Sequence, residues 1–379
     1  MKVHHFLFDK KKWIKPVDPS FNSPNNLVIV FADDSQALAE LQNTLPLCKF
    51  IGASTYASIS RGQVFNRSLV GSVIQLEQSH FRIAGPYKTS DAHNDKLAKR
   101  IVTELDAPDL AGIMTFICMN GKEFEFVRGA REAMRKDIPF IGGTAGHPDH
   151  DTYEGTYVID DKGIHEKSVI AVAFYGKDFS IHSQAESGLK PVGVPGIVTK
   201  SAHGKVFQVD GQSIVAYYAS NLGFPEKDFL RTICQYPLEI TLPDEQVSQI
   251  VSPIHVFDEE ESILFSLAIR EGSKVRICIG KKEDLILGAK TASIKLMEQI
   301  DQAKVKDGLL LTTSCGARHL ILGDEVEDEH EALDLRLMQR ANNWLGAHMF
   351  GEITHNAASG TTYQNTTINL VFLSEKKSA

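Results

Sequence analysis

Short apolar runs that stop abruptly at small or polar residues punctuate this chain. Leu27–Phe31 is one; it gives way to Ala32-Asp33-Asp34, and Ser35 to Leu45 follows with apolar residues at helical spacing. A second run stops at Gly52, a polar loop intervenes, and Leu69–Leu76 closes the unit. Such runs predict strands, and the 3.6-residue spacing between them predicts a helix, giving strand, helix, strand, strand.

The same order returns twice. From Ala111, "AGIMTFICMNG" predicts a strand, "KEFEFVRGAREAMRK" a helix, "IPFIGGTAG" a second strand breaking at Gly142-Gly143, and "KSVIAVAFYG" the closing strand. From Asp307, "DGLLLTTSCGAR" predicts the first strand, 324–344 a helix, "LGAHMFGEITHN" the second strand with its glycine at Gly351, and "TTINLVFLS" the last. Between the second and third copies, residues 178–193, 196–211 and 252–280 alternate and are broken by glycine, which predicts antiparallel hairpins. Residues 213–223 and 282–304 read as helices. The expected fold class is α/β with mixed, α+β-type sheets: repeated strand-helix-strand-strand units with the helices outside. A boundary near Asn221–Asp228, where glycine, proline and charge coincide, divides the chain into residues 1–224 and 225–379.

If the copies pack together, their strand-end loops gather around a shared cleft. Those loops are Gly52–Tyr56, Gly142–Gly146, Ser314–Arg318 and Gly351–Asn356. Small residues let a ligand approach the backbone closely, and strand ends are where α/β sheets bind ligands. Ser54, Gly143, Thr144 and Phe350 are the candidate contacts that these loops supply.

Charge and composition narrow the classes. The 379 residues carry a net charge of −8, which argues against a general nucleic-acid binder. No apolar segment of membrane-spanning length occurs, and the N-terminus lacks the apolar core of a signal peptide. The five cysteines, Cys48, Cys118, Cys234, Cys278 and Cys315, are scattered, with no CxxC pair and no zinc spacing, which suits free thiols in a reducing cytoplasm.

The candidate chemistry centres on Glu352, a carboxylate directly after a glycine in an apolar run, where an unpaired charge is costly. Arg318 stands at the end of the neighbouring strand and could meet it in a bidentate pair, either to grip a ligand or to tie two loops together. Cys315 is a nucleophile only with a base and a depressed pKa; otherwise it is a buried thiol. His147, Asp149, His150 and Asp151 form either a metal-binding cluster or a polar surface loop. Strand alternation places His348, Phe350 and Glu352 on one face, making His348 the histidine best placed for haem iron, with His255 and His319 next.

The stretch "GLLLTTSCGARHLILGDEVEDEHEAL…LGAHMFGEITHN…YQNTTINLVF", together with "IGASTYASI", "IPFIGGTAG" and "GLKPVGVPGIVTKSAHGKVFQVDG", resembles the FIST (F-box and intracellular signal transduction) family. Cys315, Arg318, Gly351, Glu352, Ile353, Asn365 and Thr367 carry the C-terminal pattern. Gln364 stands where the family often has histidine. The resemblance implies an N-terminal FIST domain over 1–224 and a C-terminal one over 225–379. It also implies a bacterial cytoplasmic sensor rather than an enzyme. Arg318 and Glu352 would hold the ligand, with Cys315, Ser54, Gly143, Thr144 and Phe350 around it. Haem sensing nitric oxide, with His348 as axial ligand, is the first expectation; a free amino acid or similar metabolite is the second. The rival from another class is a thiol enzyme using Cys315. Output would pass by contact to a separate histidine kinase, diguanylate cyclase or phosphodiesterase, without nucleic acid or membrane.

Overall fold

The computed structural model describes residues 1–89, 93–135, 138–149, 154–223, 233, 235–356 and 360–376. The threefold repetition is present. Asn26–Ala32 lies between Lys49–Ala53, to which it is parallel, and Leu69–Gln75, to which it is antiparallel. Leu110–Ile117 lies in the same senses between Phe140–Thr144 and Ser168–Tyr175. Gly308–Cys315 repeats the pattern between Ala341–Met349 and Ile368–Glu375. An outer strand precedes each copy (Lys2–Asp9, His80–Lys88, Phe179–Glu186) and pairs antiparallel with that copy's closing strand.

The central strands are apolar throughout because both faces are covered. Leu27, Ile29 and Phe31 face inward with Met114, Phe116, Leu309 and Leu311 in a core shared by all three copies. Val28 and Val30 face outward onto Leu38 and Leu41 of helix Ser35–Thr44. Leu310 and Phe372 likewise meet Leu296 and Ile300 of helix Lys282–Gln302. The helices are outside, as the pattern implied.

The polar segment after each second strand is not a loop but a hairpin. These are Ala57–Ser60 with Gln63–Phe65, Tyr157–Asp160 with Gly163–Glu166, and Gly351–Asn356 with Gly360–Gln364. Each hairpin leaves its own copy and extends the sheet of another. The first joins the third copy at Ala57–His348, the second joins the first at Val158–Ala53, and the third joins the second at Gly351–Thr144. The exchange is cyclic. It breaks the expected continuous strand 345–356 at Phe350, so Glu352 enters a different sheet from His348.

Two further expectations are corrected. The helix expected over 324–344 is instead three short pieces, Gly323–Glu325, Asp328–Glu331 and Leu335–Arg340, with a strand starting at Ala341. Asp334 restarts the last piece by accepting the Arg336 amide at 2.8 Å. The glycine that matters in the third copy's second strand is Gly346, not Gly351. Gly52, Gly142 and Gly346 stand opposite Val30, Thr115 and Thr312, and a Cβ on each would lie 1.9, 1.8 and 2.3 Å from that partner's carbonyl oxygen.

The β-rich insertion forms a fourth sheet of eight strands beside the ring of copies. Residues 1–224 and 225–379 contribute strands jointly to three of the four sheets. No helix among the described residues is long and apolar enough to cross a membrane.

Candidate ligand cleft

The strand ends of the three copies meet at one place. Gly146 N–H donates to the Ser54 carbonyl at 3.0 Å, Tyr56 N–H to the His348 carbonyl at 2.9 Å, and Phe350 N–H to the Thr144 carbonyl at 3.1 Å. The expected gathering of loops is real, and a cleft of about 80 Å³ opens beside it. Tyr56 of the first copy, Met119 of the second, and Cys315, Ala317 and Phe350 of the third line it, and Ser252 to Ile254 of the fourth sheet close it. Its polar wall is built internally. Ser266 Oγ donates to Asn365 Oδ1, Asn365 Nδ2 donates to the Phe350 carbonyl at 3.0 Å, and Ser252 Oγ lies 3.0 Å from Thr366 Oγ1. Thr366 holds a left-handed backbone (φ 54°), which a β-branched residue rarely adopts, at the point where this wall turns.

Of the candidate residues, Cys315 and Phe350 line the cleft. Arg318 and Glu352 lie behind it, fully buried, and they do not pair with each other. Arg318 Nε donates to Glu329 Oε2 at 2.9 Å instead, and Ser314 Oγ donates to the other Glu329 oxygen at 2.8 Å. Three more guanidinium N–H groups donate to the carbonyls of Ser187, Thr366 and Leu285. Glu329, one of several acidic residues in the segment expected to be the 324–344 helix, is the partner that sequence reasoning missed. Its neighbours Glu327, Asp328 and Glu331 gave no signal to distinguish it.

Glu352 answers its burial by neutrality. Loss of water drives its carboxyl pKa well above the ordinary range, which favours the protonated acid. Thr367 Oγ1 donates to its Oε2 at 2.7 Å, and Oε1 has no partner. Burial pushes the Cys315 thiol up as well. A thiol held in its protonated form lacks the activation that a nucleophile requires.

Ser54 and Thr144 serve the junctions rather than the cleft. Ser54 Oγ accepts the Tyr157 amide at 3.0 Å, and Thr144 Oγ1 lies 3.1 Å from the Tyr363 hydroxyl. Gly143 makes room for Met349, whose Sδ would stand 2.6 Å from an added Cβ. His348 is not on the face of Glu352. It is fully buried against His319 and His330, with ring centroids 4.7 and 6.0 Å away, and neither of its ring nitrogens has a partner. Burial holds its pKa well below the ordinary histidine value. An 80 Å³ cleft is several-fold smaller than the roughly 300 Å³ at which pockets for drug-sized ligands begin, and a tetrapyrrole is at least that large. The residues present do not fit a haem. His255 is exposed and packs on Phe257. His147 Nδ1 accepts the Asp149 amide at 3.1 Å, whereas His150 and Asp151 lie outside the described residues. Among the described residues no group of three metal-ligating side chains could hold a metal ion.

Two family models match successive parts of the chain. The FIST N domain model matches residues 26–212 and the FIST C domain model matches residues 215–355. The chain belongs to the FIST family. FIST domains are sensory domains of signal transduction rather than catalytic ones. No curated protein matches. A chorismatase crystal structure at 1.08 Å resolution is similar over 98% of both chains, with 8% identity and a TM-score of 0.33. That similarity carries no argument about this FIST protein.

Proposed function

We propose that this FIST protein senses a small metabolite the size of a free amino acid, bound in the cleft lined by Tyr56, Met119, Cys315, Ala317, Phe350 and Asn365. One observation supports this above the rest: each of the three copies and the fourth sheet supplies part of the wall, so an occupant bears on all four at once. At 10–15 Å³ for each enclosed water, the space holds about six waters, which matches a compact molecule of that size. Its apolar part would lie against Met119, Ile254 and Phe350, and its polar end beside Asn365 and the serines.

The path outward is contiguous. Gly316 and Ala317 line the cleft, and Arg318 follows them on the same short helix. Its guanidinium grips the Leu285 carbonyl on helix Lys282–Gln302 and the Ser187 carbonyl before the insertion. A ligand that favours one placement of the Gly316–Leu322 helix therefore shifts the surface that helix Lys282–Gln302 presents. The recipient is a separate signalling enzyme, with a histidine kinase or a cyclic-di-GMP enzyme the class that the family suggests.

Calorimetric titration with individual free amino acids tests this reading, with Ala317→Phe as the control. Ala317 is half-buried on the cleft wall, so the larger ring fills the space without entering the core. The expected result is saturable heat with the native protein, a loss of more than tenfold in affinity with Ala317→Phe, and an unchanged thermal midpoint. Equal binding by both proteins would place the ligand elsewhere.

A further inference from the structure

Helix Lys282–Gln302 covers the third copy with one face, through Ala289, Leu296 and Ile300, and leaves another face bare. Glu283, Ile286, Leu287, Lys290 and Ile294 recur at helical spacing along the bare face, over about three turns or ~16 Å. With Leu333 and Leu335 on the opposite wall they enclose a groove of about 570 Å³. Leu287 is 57% exposed and Leu335 75%. One exposed leucine is ordinary, but two lining the same groove, together with half-buried Ile286 and Ile294, make a surface of the kind that partners cover.

Charge says what kind of partner. Asp334 in the groove is paired with Arg336, and Lys282 and Lys295 on the helix are turned to Glu325 and Glu186. Glu283 and Glu331 are exposed and make no ion pair among the described residues, and Lys290 is the only lysine or arginine that lines the groove. The segment leading to the far wall adds Asp324 and Asp328, both exposed. An apolar groove with an acidic rim complements a helix that is apolar on one side and basic at its margins.

We infer that this groove receives a basic amphipathic helix of a separate protein. The apolar side of that helix would bury Leu287 and Leu335, and its lysines or arginines would meet Glu283 and Glu331. The groove lies at the outer end of the path from the cleft, since Arg318 holds the Leu285 carbonyl one residue before Ile286. The inference stands on the groove alone and is tested without any amino acid, so failure of either reading leaves the other intact.

Fluorescence anisotropy with the full chain measures the fit of a labelled peptide of about fifteen residues, with leucine at i, i+3, i+4 and i+7 spacing and lysine elsewhere. A second peptide replaces each lysine by glutamate, and a third keeps the composition but scatters the leucines around the helix. The lysine peptide is expected to bind saturably, and more weakly in added salt; the other two are expected not to bind. Leu287→Gln combined with Leu335→Gln, both at exposed positions, should weaken the lysine peptide at least tenfold with an unchanged thermal midpoint. Glu331→Lys should weaken it roughly threefold or more. The inference is overturned if the lysine peptide does not bind, if either control peptide binds equally, or if the double variant leaves the affinity unchanged. A native dimer in sedimentation that the double variant dissolves would also overturn it, making the occupant a second copy of this chain.

Discussion

At the residue scale, the informative side chain is Glu352. The sequence showed that a charge in its place would be expensive, and that reasoning holds; the resolution it suggested, pairing with Arg318, does not. A fully buried ion pair is tolerated only when its remaining hydrogen bonds are satisfied, and breaking one costs about 3–5 kcal/mol. Arg318 meets that condition through Glu329 and three carbonyls, and none of these bonds goes to Glu352. Glu352 stays neutral instead. Folding then takes up a proton that the unfolded chain has already released at any pH above the ordinary carboxylate value of 4.5. Stability from this group is therefore lost as pH rises above 4.5 towards the folded value. Glu352→Gln keeps the shape and removes the titration. The variant is expected to be more stable than the native protein at pH 8, by about 1.4 kcal/mol for each pH unit between 4.5 and the folded value or pH 8, whichever is lower. At pH 4.5 the advantage should largely vanish. Urea unfolding at both pH values reads the difference, and an advantage independent of pH would contradict a protonated Glu352.

At the scale of elements, the repeated unit was legible because its cues are local. Leu27–Phe31 and Leu69–Leu76 read as strands, and Asn26–Ala32 and Leu69–Gln75 are strands. What could not be read was partnership between distant segments. Nothing in the order of residues 57–65 says that they leave the first copy for an edge some 290 residues on, at His348. Alternation across 345–356 put His348 and Glu352 on one face because the exchange that splits the strand at Phe350 is a tertiary event. Gly52 and Gly142 were expected to admit a ligand, but together with Gly346 they serve the close approach of first and second strands. Gly142 is the sharpest case, with a φ of 144° and a carbonyl 1.8 Å from any added Cβ. Gly142→Ala is expected to cost about 3 kcal/mol, measured as a lowered urea midpoint with an unchanged slope. A cost below roughly 0.5 kcal/mol, the usual range for substitutions away from such features, would show that this strand pair is not constrained as described.

At the scale of the whole molecule, the three copies exchange hairpins in a cycle, and the candidate cleft exists only because they do. Tyr56 reaches it from the segment leading into the first copy's hairpin, Phe350 from the break before the third's, and Met119 from the end of the second copy's central strand. The sequence supported a meeting of strand-end loops. It could not say that Arg318 and Glu352 would sit in the wall behind the cleft, or that Asn365 and the serines of the fourth sheet would form its polar side. Met119 offers a direct reporter. Spectra of methyl-¹³C methionine, recorded during titration with free amino acids, resolve a bound ligand by position among the chain's seven methionines. The account predicts that one amino acid shifts the Met119 methyl saturably while Met1, Met134 and Met338, which do not line the cleft, stay in place. Saturable binding that leaves Met119 unmoved would contradict it.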